Sequence, residues 1–299
     1  MVGSAVARVA SSSGHEVLGK SSDQLDLTDR LATFKEIKNT NPDVLIIAAA
    51  KVGGIGANSK YPVDFLSINL QIQTNLIDAA HSNNIKKVIF LGSSCIYPKF
   101  APQPIPETSL LTSQLEETNE PYAIAKIAGL KLIEAYRRQF GREWISLMPT
   151  NLYGENDNFD LAHSHVLPAL MNKLHAAKIA GNSEVEIWGD GTPLREFLHV
   201  NDLAKAIIFM STKKTDENLF NVGSGEEITI LELAKLMAEV IGFEGKFKFD
   251  ENQPNGTPRK LLDSSRIKEM GWKPKIGLKA GLIKTYDWYL TQLEERPRK

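Results

Sequence analysis

Tyr122 and Lys126 stand four residues apart in Glu120-Pro121-Tyr122-Ala123-Ile124-Ala125-Lys126, a run of good helix formers, so both side chains share one helix face. A lysine ammonium beside a phenol favours the phenolate and lowers its pKa, which predicts Tyr122 as an acid that works near neutral pH. Upstream, Gly92-Ser93-Ser94-Cys95-Ile96-Tyr97-Pro98-Lys99 offers the Ser93 hydroxyl to polarise the same substrate oxygen, with the Cys95 thiol two residues on. A thiol near a cation titrates close to neutrality, and so does imidazole, which His163 and His165 supply in Leu161-Ala162-His163-Ser164-His165-Val166-Leu167-Pro168. Each group also has a plainer reading. Tyr122 and Lys126 fit a surface pair, Cys95 a small buried hydrophobe and His165 a helix-start histidine; these readings leave Ser93 unexplained.

Positioning such groups requires a sheet. Lys87-Val88-Ile89-Phe90-Leu91 is continuously apolar after its first residue and β-branched, which predicts a parallel strand buried on both faces and puts Ser93 and Cys95 at its C-terminal mouth. Ligands of open α/β sheets bind at such mouths because the loops there part. Asp43 to Ala50 predicts another buried strand, followed by the glycine-rich Lys51-Val52-Gly53-Gly54-Ile55-Gly56, where small residues suit either close approach of a cofactor or tight packing. Trp144 to Met148 predicts a strand that opens into Pro149-Thr150-Asn151-Leu152. His15-Glu16-Val17-Leu18-Gly19-Lys20 also reads as a strand. In place of the acid that grips the ribose 2′-hydroxyl of NAD, Lys20, Ser21 and Ser22 follow it, then Asp23. A cation and hydroxyls suit a 2′-phosphate and hence NADP, and a solvated turn accounts for them nearly as well. Helices are predicted from Met1 to Ala10, from Phe65 to His81, from Asn201 to Met210 behind an Asn201 or Asp202 cap, and from Leu231 to Val240 behind Thr229.

At 299 residues the chain can bury a large core, and the alternation of apolar runs with helical patterns argues α/β. A net charge of -1 gives no electrostatic footprint for nucleic acid or an anionic membrane. No apolar run has transmembrane length and no signal peptide is visible. A single cysteine excludes an internal disulfide and a cysteine-rich zinc site, and points to the cytoplasm. No His/Asp/Glu spacing suggests a metal site.

Ser93, Tyr122 and Lys126 resemble the triad of the extended short-chain dehydrogenase/reductases, which act on nucleotide sugars. The longer strings Gly92 to Lys99 and Thr118-Asn119-Glu120-Pro121-Tyr122-Ala123-Ile124-Ala125-Lys126-Ile127-Ala128-Gly129 are similar to those of its epimerase-reductases. The resemblance implies a Rossmann-type doubly wound parallel sheet with a smaller C-terminal substrate lobe. An NADP-binding domain over 1–150, also receiving about 192–215, would precede a mainly substrate-binding 151–299. It further implies 3,5-epimerisation and 4-reduction of GDP-4-keto-6-deoxy-D-mannose to GDP-L-fucose. Cys95 would be the base, His165 the acid, and Ser93, Tyr122 and Lys126 would hold the enolate oxygen. NADP(H) would meet Gly3, Ser22, Asp23, Leu91, Gly92, Ser93, Ser94, Lys126, Pro149, Thr150, Asn151, Leu152 and His165. The GDP-sugar would meet Trp188, Arg195, Lys260 and Lys173, the last at a position where some relatives have arginine. A homodimer would form through the Phe65–His81 and Tyr122 helices.

By the same resemblance Gly3 is the last glycine of a Gly-x-x-Gly-x-x-Gly fingerprint whose other glycines and preceding strand have no counterpart. The expectation is two unpaired strand edges, or a rearranged sheet, in a chain that is a piece or starts at an internal methionine; a true short form is the rival reading. Two other functions stay open. One is a 4-epimerase or 4,6-dehydratase, although dehydratases carry an acid pair where Ser94 and Cys95 stand. The other is a catalytically silent nucleotide-sugar-binding protein.

Overall fold

Four apolar runs pair in parallel, in the order β1 (Val44–Ile47), β2 (Lys87–Leu91), β3 (Ile145–Pro149) and β7 (Leu219–Val222), in a computed structural model that describes residues 1–160, 164–250, 252–253 and 255–295. All five residues of β2 and of β3 are buried, because each has a strand on both sides and helices over both faces. Helices α2 (Arg30–Thr40), α4 (Pro62–Ser82) and α5 (Glu120–Phe140) cover one face, with α3 (Ile55–Lys60) in the glycine-rich loop; α1 (Val2–Ser12), α7 (Val200–Ser211) and the short α9 (Ser265–Glu269) cover the other.

A second lobe is built on α6 (Val166–Ala180), α8 (Ile230–Ile241), α10 (Leu278–Glu295) and the parallel pair β5 (Glu184–Trp188) and β9 (Lys246–Asp250). Between the lobes runs a small sheet. Its β6 (Leu194–His199) pairs in parallel with β4 (Asn151–Tyr153) on one side; on the other it pairs with β10 (Arg259–Lys260) in parallel and β8 (Glu227–Thr229) antiparallel.

The helix that carries Tyr122 is set by its sequence. Pro121 occupies its first turn, Gly141 ends it at φ 64°, and small residues line its buried face. A Cβ on Gly129 would stand 2.6 Å from the Phe90 ring and 2.7 Å from Gln73 Oε1, so glycine is what lets α5 lie against β2 and α4. The Thr229 cap is present, as a reciprocal capping box with Glu232.

Three local expectations are corrected. Residues 15–20 form no strand: they run exposed after α1, because a strand needs a ladder partner and no described strand lies beside them. The run Asp43 to Ala50 contributes only β1, where Ile47 alone is buried, because β1 pairs on one side only and is the edge of the sheet. The cap of α7 is His199, whose ring nitrogen accepts from Asn201 N at 3.2 Å; Asp202 instead accepts from Lys275 N and Ile276 N, both at 2.7 Å.

Candidate active site

The chain leaves β2 at Gly92, whose N donates to Leu147 O at 3.0 Å, and turns at once into a short helical turn over Ser94–Ile96. Ser93 caps that turn: its Oγ accepts from Cys95 N at 3.2 Å. The cap aims hydroxyl and thiol into the same mouth. Across from them, the Tyr122 ring packs edge-on against Phe65, with ring centroids 6.4 Å apart. Lys126, 4 % exposed, lies one turn along α5 and donates to Leu91 O at 2.9 Å, with its ammonium 5.0 Å from the Phe90 ring and 5.8 Å from the Tyr122 ring.

The electrostatics differ from the expected effect of lysine on the phenol. Burial pushes the Tyr122 pKa above its ordinary value, the charge of Cys95 pushes the same way, and a hydrogen bond with Ser93 works against both. Lys126 gives up charge more easily than usual, because burial lowers its pKa to about 8. Tyr122 is therefore a phenol firmly protonated at neutral pH, matched to an alkoxide rather than poised as a phenolate.

The remaining predicted groups fall into three sets. Lys260, on β10, donates to Cys95 Sγ at 3.4 Å, so it sits on the thiol. His165 stands at the N-terminal cap position of α6 without a capping bond from its ring. Part of its surface is open, but the protein crowded around the ring and the Lys260 charge both disfavour imidazolium, so its pKa falls below the usual histidine value. His163 lies outside the described residues. Beside Lys260 in the β10–β6 register stands Arg195, which donates to Leu194 O at 2.9 Å and Asn255 O at 3.3 Å rather than pairing with Asp202. On the second lobe Lys173 sits 5.5 Å over the Trp188 ring and donates to Glu186 O at 3.2 Å; Trp188 is 54 % exposed and is not core.

Pro149 ends β3, and Thr150, Asn151 and Leu152 continue from it. Thr150 N donates to Val222 O, while the side chains of Thr150 and Asn151 donate to Glu196 O. Leu91 and Ser94 are buried in the β2 mouth. Gly3 lies in the first turn of α1 with open space where a Cβ would stand. Ser22 and Asp23 lie in an exposed turn, and Lys20 is held by Glu36 at 2.5 Å. Among the described residues no hydrogen bond or ion pair joins these last groups to the cluster at the β2 mouth.

Two supports had no motif to announce them. Asn221, fully buried in β7, accepts from Tyr97 OH at 2.6 Å and donates to Ile105 O and Asp263 O at 2.9 and 3.0 Å, while its own N donates to Glu107 at 2.9 Å. Glu196, fully buried in β6, accepts from Gly225 N at 2.7 Å and Leu262 N at 3.1 Å. Together they tie the loop after Cys95 and the strand of Lys260 to the sheets. A polar residue inside an otherwise apolar strand, as in Leu219-Phe220-Asn221-Val222, was the available signal.

Residues 1–223 match the model of the NAD dependent epimerase/dehydratase family. The chain belongs to that family. GDP-L-fucose synthase 1 of Arabidopsis thaliana is 55 % identical over 297 residues, covering 99 % of this chain and 92 % of its relative. GDP-L-fucose synthase of Escherichia coli strain K12 is 49 % identical over 300 residues, covering 97 % and 94 %. Among solved structures, a GDP-L-fucose synthetase from Naegleria fowleri bound to NADP superimposes with a TM-score of 0.90 at 26 % identity, covering 99 % of this chain and 92 % of that one. The Rossmann-type parallel sheet described above is the fold of this family, and among the described residues no helix is long and apolar enough to cross a membrane.

Proposed function

We propose that the protein is an NADP-dependent epimerase-reductase that converts GDP-4-keto-6-deoxy-D-mannose to GDP-L-fucose. The observation that carries this reading is the meeting of Cys95, Lys260, Ser93 and Tyr122 at one strand mouth, in a chain 55 % identical to a GDP-L-fucose synthase. We assign residues 1–150, with α7 and β7, to the cofactor lobe, and most of 151–299 to the sugar-nucleotide lobe.

A ketone at C4 acidifies the hydrogens on C3 and C5, because the electron pair left by either proton delocalises onto the carbonyl oxygen. Cys95 Sγ takes the proton, and the Ser93 and Tyr122 hydroxyls hold the enolate oxygen. His165 returns a proton on the opposite face, which inverts the carbon. When the inverted ketone is reduced, Tyr122, which burial keeps protonated, gives its proton to the C4 alkoxide, a stronger base than the phenolate left behind.

The groups at the nicotinamide end fit the cofactor. Among the described residues the buried Lys126 ammonium has one hydrogen-bond acceptor, Leu91 O, which leaves N–H groups for ribose hydroxyls. We assign Ser94, Pro149 to Leu152 and His165 to the same cofactor. When bound, NADP(H) supplies the hydride for C4. Trp188 and Arg195 offer a flat ring and a guanidinium to the guanine and diphosphate, with Lys173 beside the ring.

Val63 on α4 and Ile124 on α5, 73 % and 43 % exposed, support a homodimer through that helix pair, and the single cysteine suits a cytoplasmic location. The test of function is incubation with the keto-sugar and NADPH. GDP-L-fucose is the expected product, and Cys95→Ser is expected to abolish inversion while leaving some direct C4 reduction. A Cys95→Ser protein that inverts both centres normally would remove Cys95 as the base. Binding of GDP-sugar without conversion by wild type would favour the silent-binding reading.

A further inference from the structure

We propose that Glu116 is the proton outlet of the Cys95 base: it receives, through a small cavity behind the thiol, the proton taken from the sugar and releases it to solvent. The inference rests on the epimerase reading above and addresses a need that reading creates. One thiol serves two carbons. After the first C–H bond breaks, its electron pair lies in the enolate and its proton on sulfur, so Cys95 is a thiol and inert as a base until that proton leaves.

The structure holds a way out. A cavity of about 30 Å³, room for a water molecule, is lined by Cys95, Lys260, Glu116, Asn119, Thr257 and Lys99. Lys260 fixes one end of it against Sγ at 3.4 Å. Glu116 precedes α5 and is half-buried, so it touches both the cavity and the outside. Its Oε2 accepts from Thr118 Oγ1 at 2.6 Å, Asn119 Nδ2 at 2.7 Å and Asn119 N at 3.1 Å; none of these donors uses Oε1. Burial alone would raise the Glu116 pKa, yet the bonds from Thr118 and Asn119 outweigh it and hold the group ionised, so it carries the proton only in passing and gives it up readily to water. The bookkeeping closes: the S–H bond breaks and its electron pair returns to sulfur as thiolate. The proton crosses the cavity water to the Glu116 carboxylate and then enters bulk water.

Glu116→Gln keeps an oxygen for the Asn119 donors and cannot carry a proton. The assay omits NADPH: the keto-sugar is mixed with enzyme in D₂O and deuterium entry at C3 and C5 is followed in time. Wild type should exchange at both positions without a burst. Glu116→Gln should give a burst of one exchanged hydrogen per active site, then turnover slowed about a hundredfold or more, the scale of a lost proton-transfer group. Thr257→Leu, which fills the cavity from its other wall, should give the same burst; Glu116→Asp, which can still carry the proton, should remove it. A residue that only braces α5 would slow the first exchange as much as later ones and give no burst. Wild-type turnover in both Glu116→Gln and Thr257→Leu overturns the outlet and leaves the epimerase intact. No exchange by wild type at either carbon overturns the epimerase itself.

Discussion

Exchanging Lys126 for methionine should leave the fold as stable as before, or more so, while removing the chemistry. The ammonium is 4 % exposed beneath Tyr122, and burial lowers its pKa from 10.5 to about 8. At about 1.4 kcal/mol for each pH unit between those values, keeping the amine charged at pH 7 costs the native state about 3 kcal/mol. Methionine has a similar length and no charge, so that cost disappears. Against it stands Leu91 O, which loses its 2.9 Å partner; an orphaned buried carbonyl costs about 1–3 kcal/mol. The net change is between about zero and 2 kcal/mol in favour of the variant, or up to about 4 °C in Tm for a chain of this size. The sign with pH follows from the direction of the shift. A base whose folded pKa lies below its unfolded one makes the unfolded chain bind more protons, so wild-type stability rises between about pH 8 and 10.5. By about pH 9.5 the cost of the charge has fallen to roughly 1 kcal/mol, and the advantage of the variant should shrink or reverse. Thermal unfolding of both proteins by circular dichroism at the two pH values, beside an activity assay, measures this. A variant destabilised by more than about 2 kcal/mol, and equally so at both pH values, would falsify the claim that a buried charge is the dominant energetic feature of this residue.

Other expectations follow from the same contacts. Asn221→Ala strands the Tyr97 hydroxyl and the Asp263 carbonyl, while Ile105 O keeps its bond from Asp263 N; denaturant titration should show a loss of about 2 kcal/mol or more. Gly129→Ala gains about 1 kcal/mol of helix propensity, yet it places a Cβ 2.6 Å from Phe90, and the overpacking should outweigh the gain by about 1–2 kcal/mol with a fall in kcat as α5 shifts. The His165 ring should titrate below its usual range by NMR in the free protein, and Lys260→Gln should move that titration upward, since the Lys260 charge is one of the two causes holding it down; an unmoved titration would place Lys260 too far from the imidazole to matter.

Much of the frame was legible because it is local. Buried parallel strands announce themselves as apolar runs, so β2 and β3 were visible in Lys87 to Leu91 and Trp144 to Met148. Helical periodicity put Tyr122 and Lys126 on one face, and the Thr229–Glu232 capping box is a pattern of four residues. The alternation of these elements was enough for the fold class. Motif spacing brought Ser93, Cys95 and Tyr122 into one reading before any coordinates.

Tertiary structure decided whatever depends on partners far along the chain. His15 to Lys20 has the composition of a strand and is none, because strand formation needs a neighbour to bond and no described strand lies beside it. Lys260 meets Cys95 across 165 positions of sequence, and pairing far along the chain brings it there: β10 lies beside β6, and Leu261 bonds to Gln103 and Ile105 in the loop after Cys95. The direction of the Tyr122 shift was likewise beyond spacing. Spacing reports that a lysine is near, but burial is set by every segment that closes over the phenol, and here desolvation prevails.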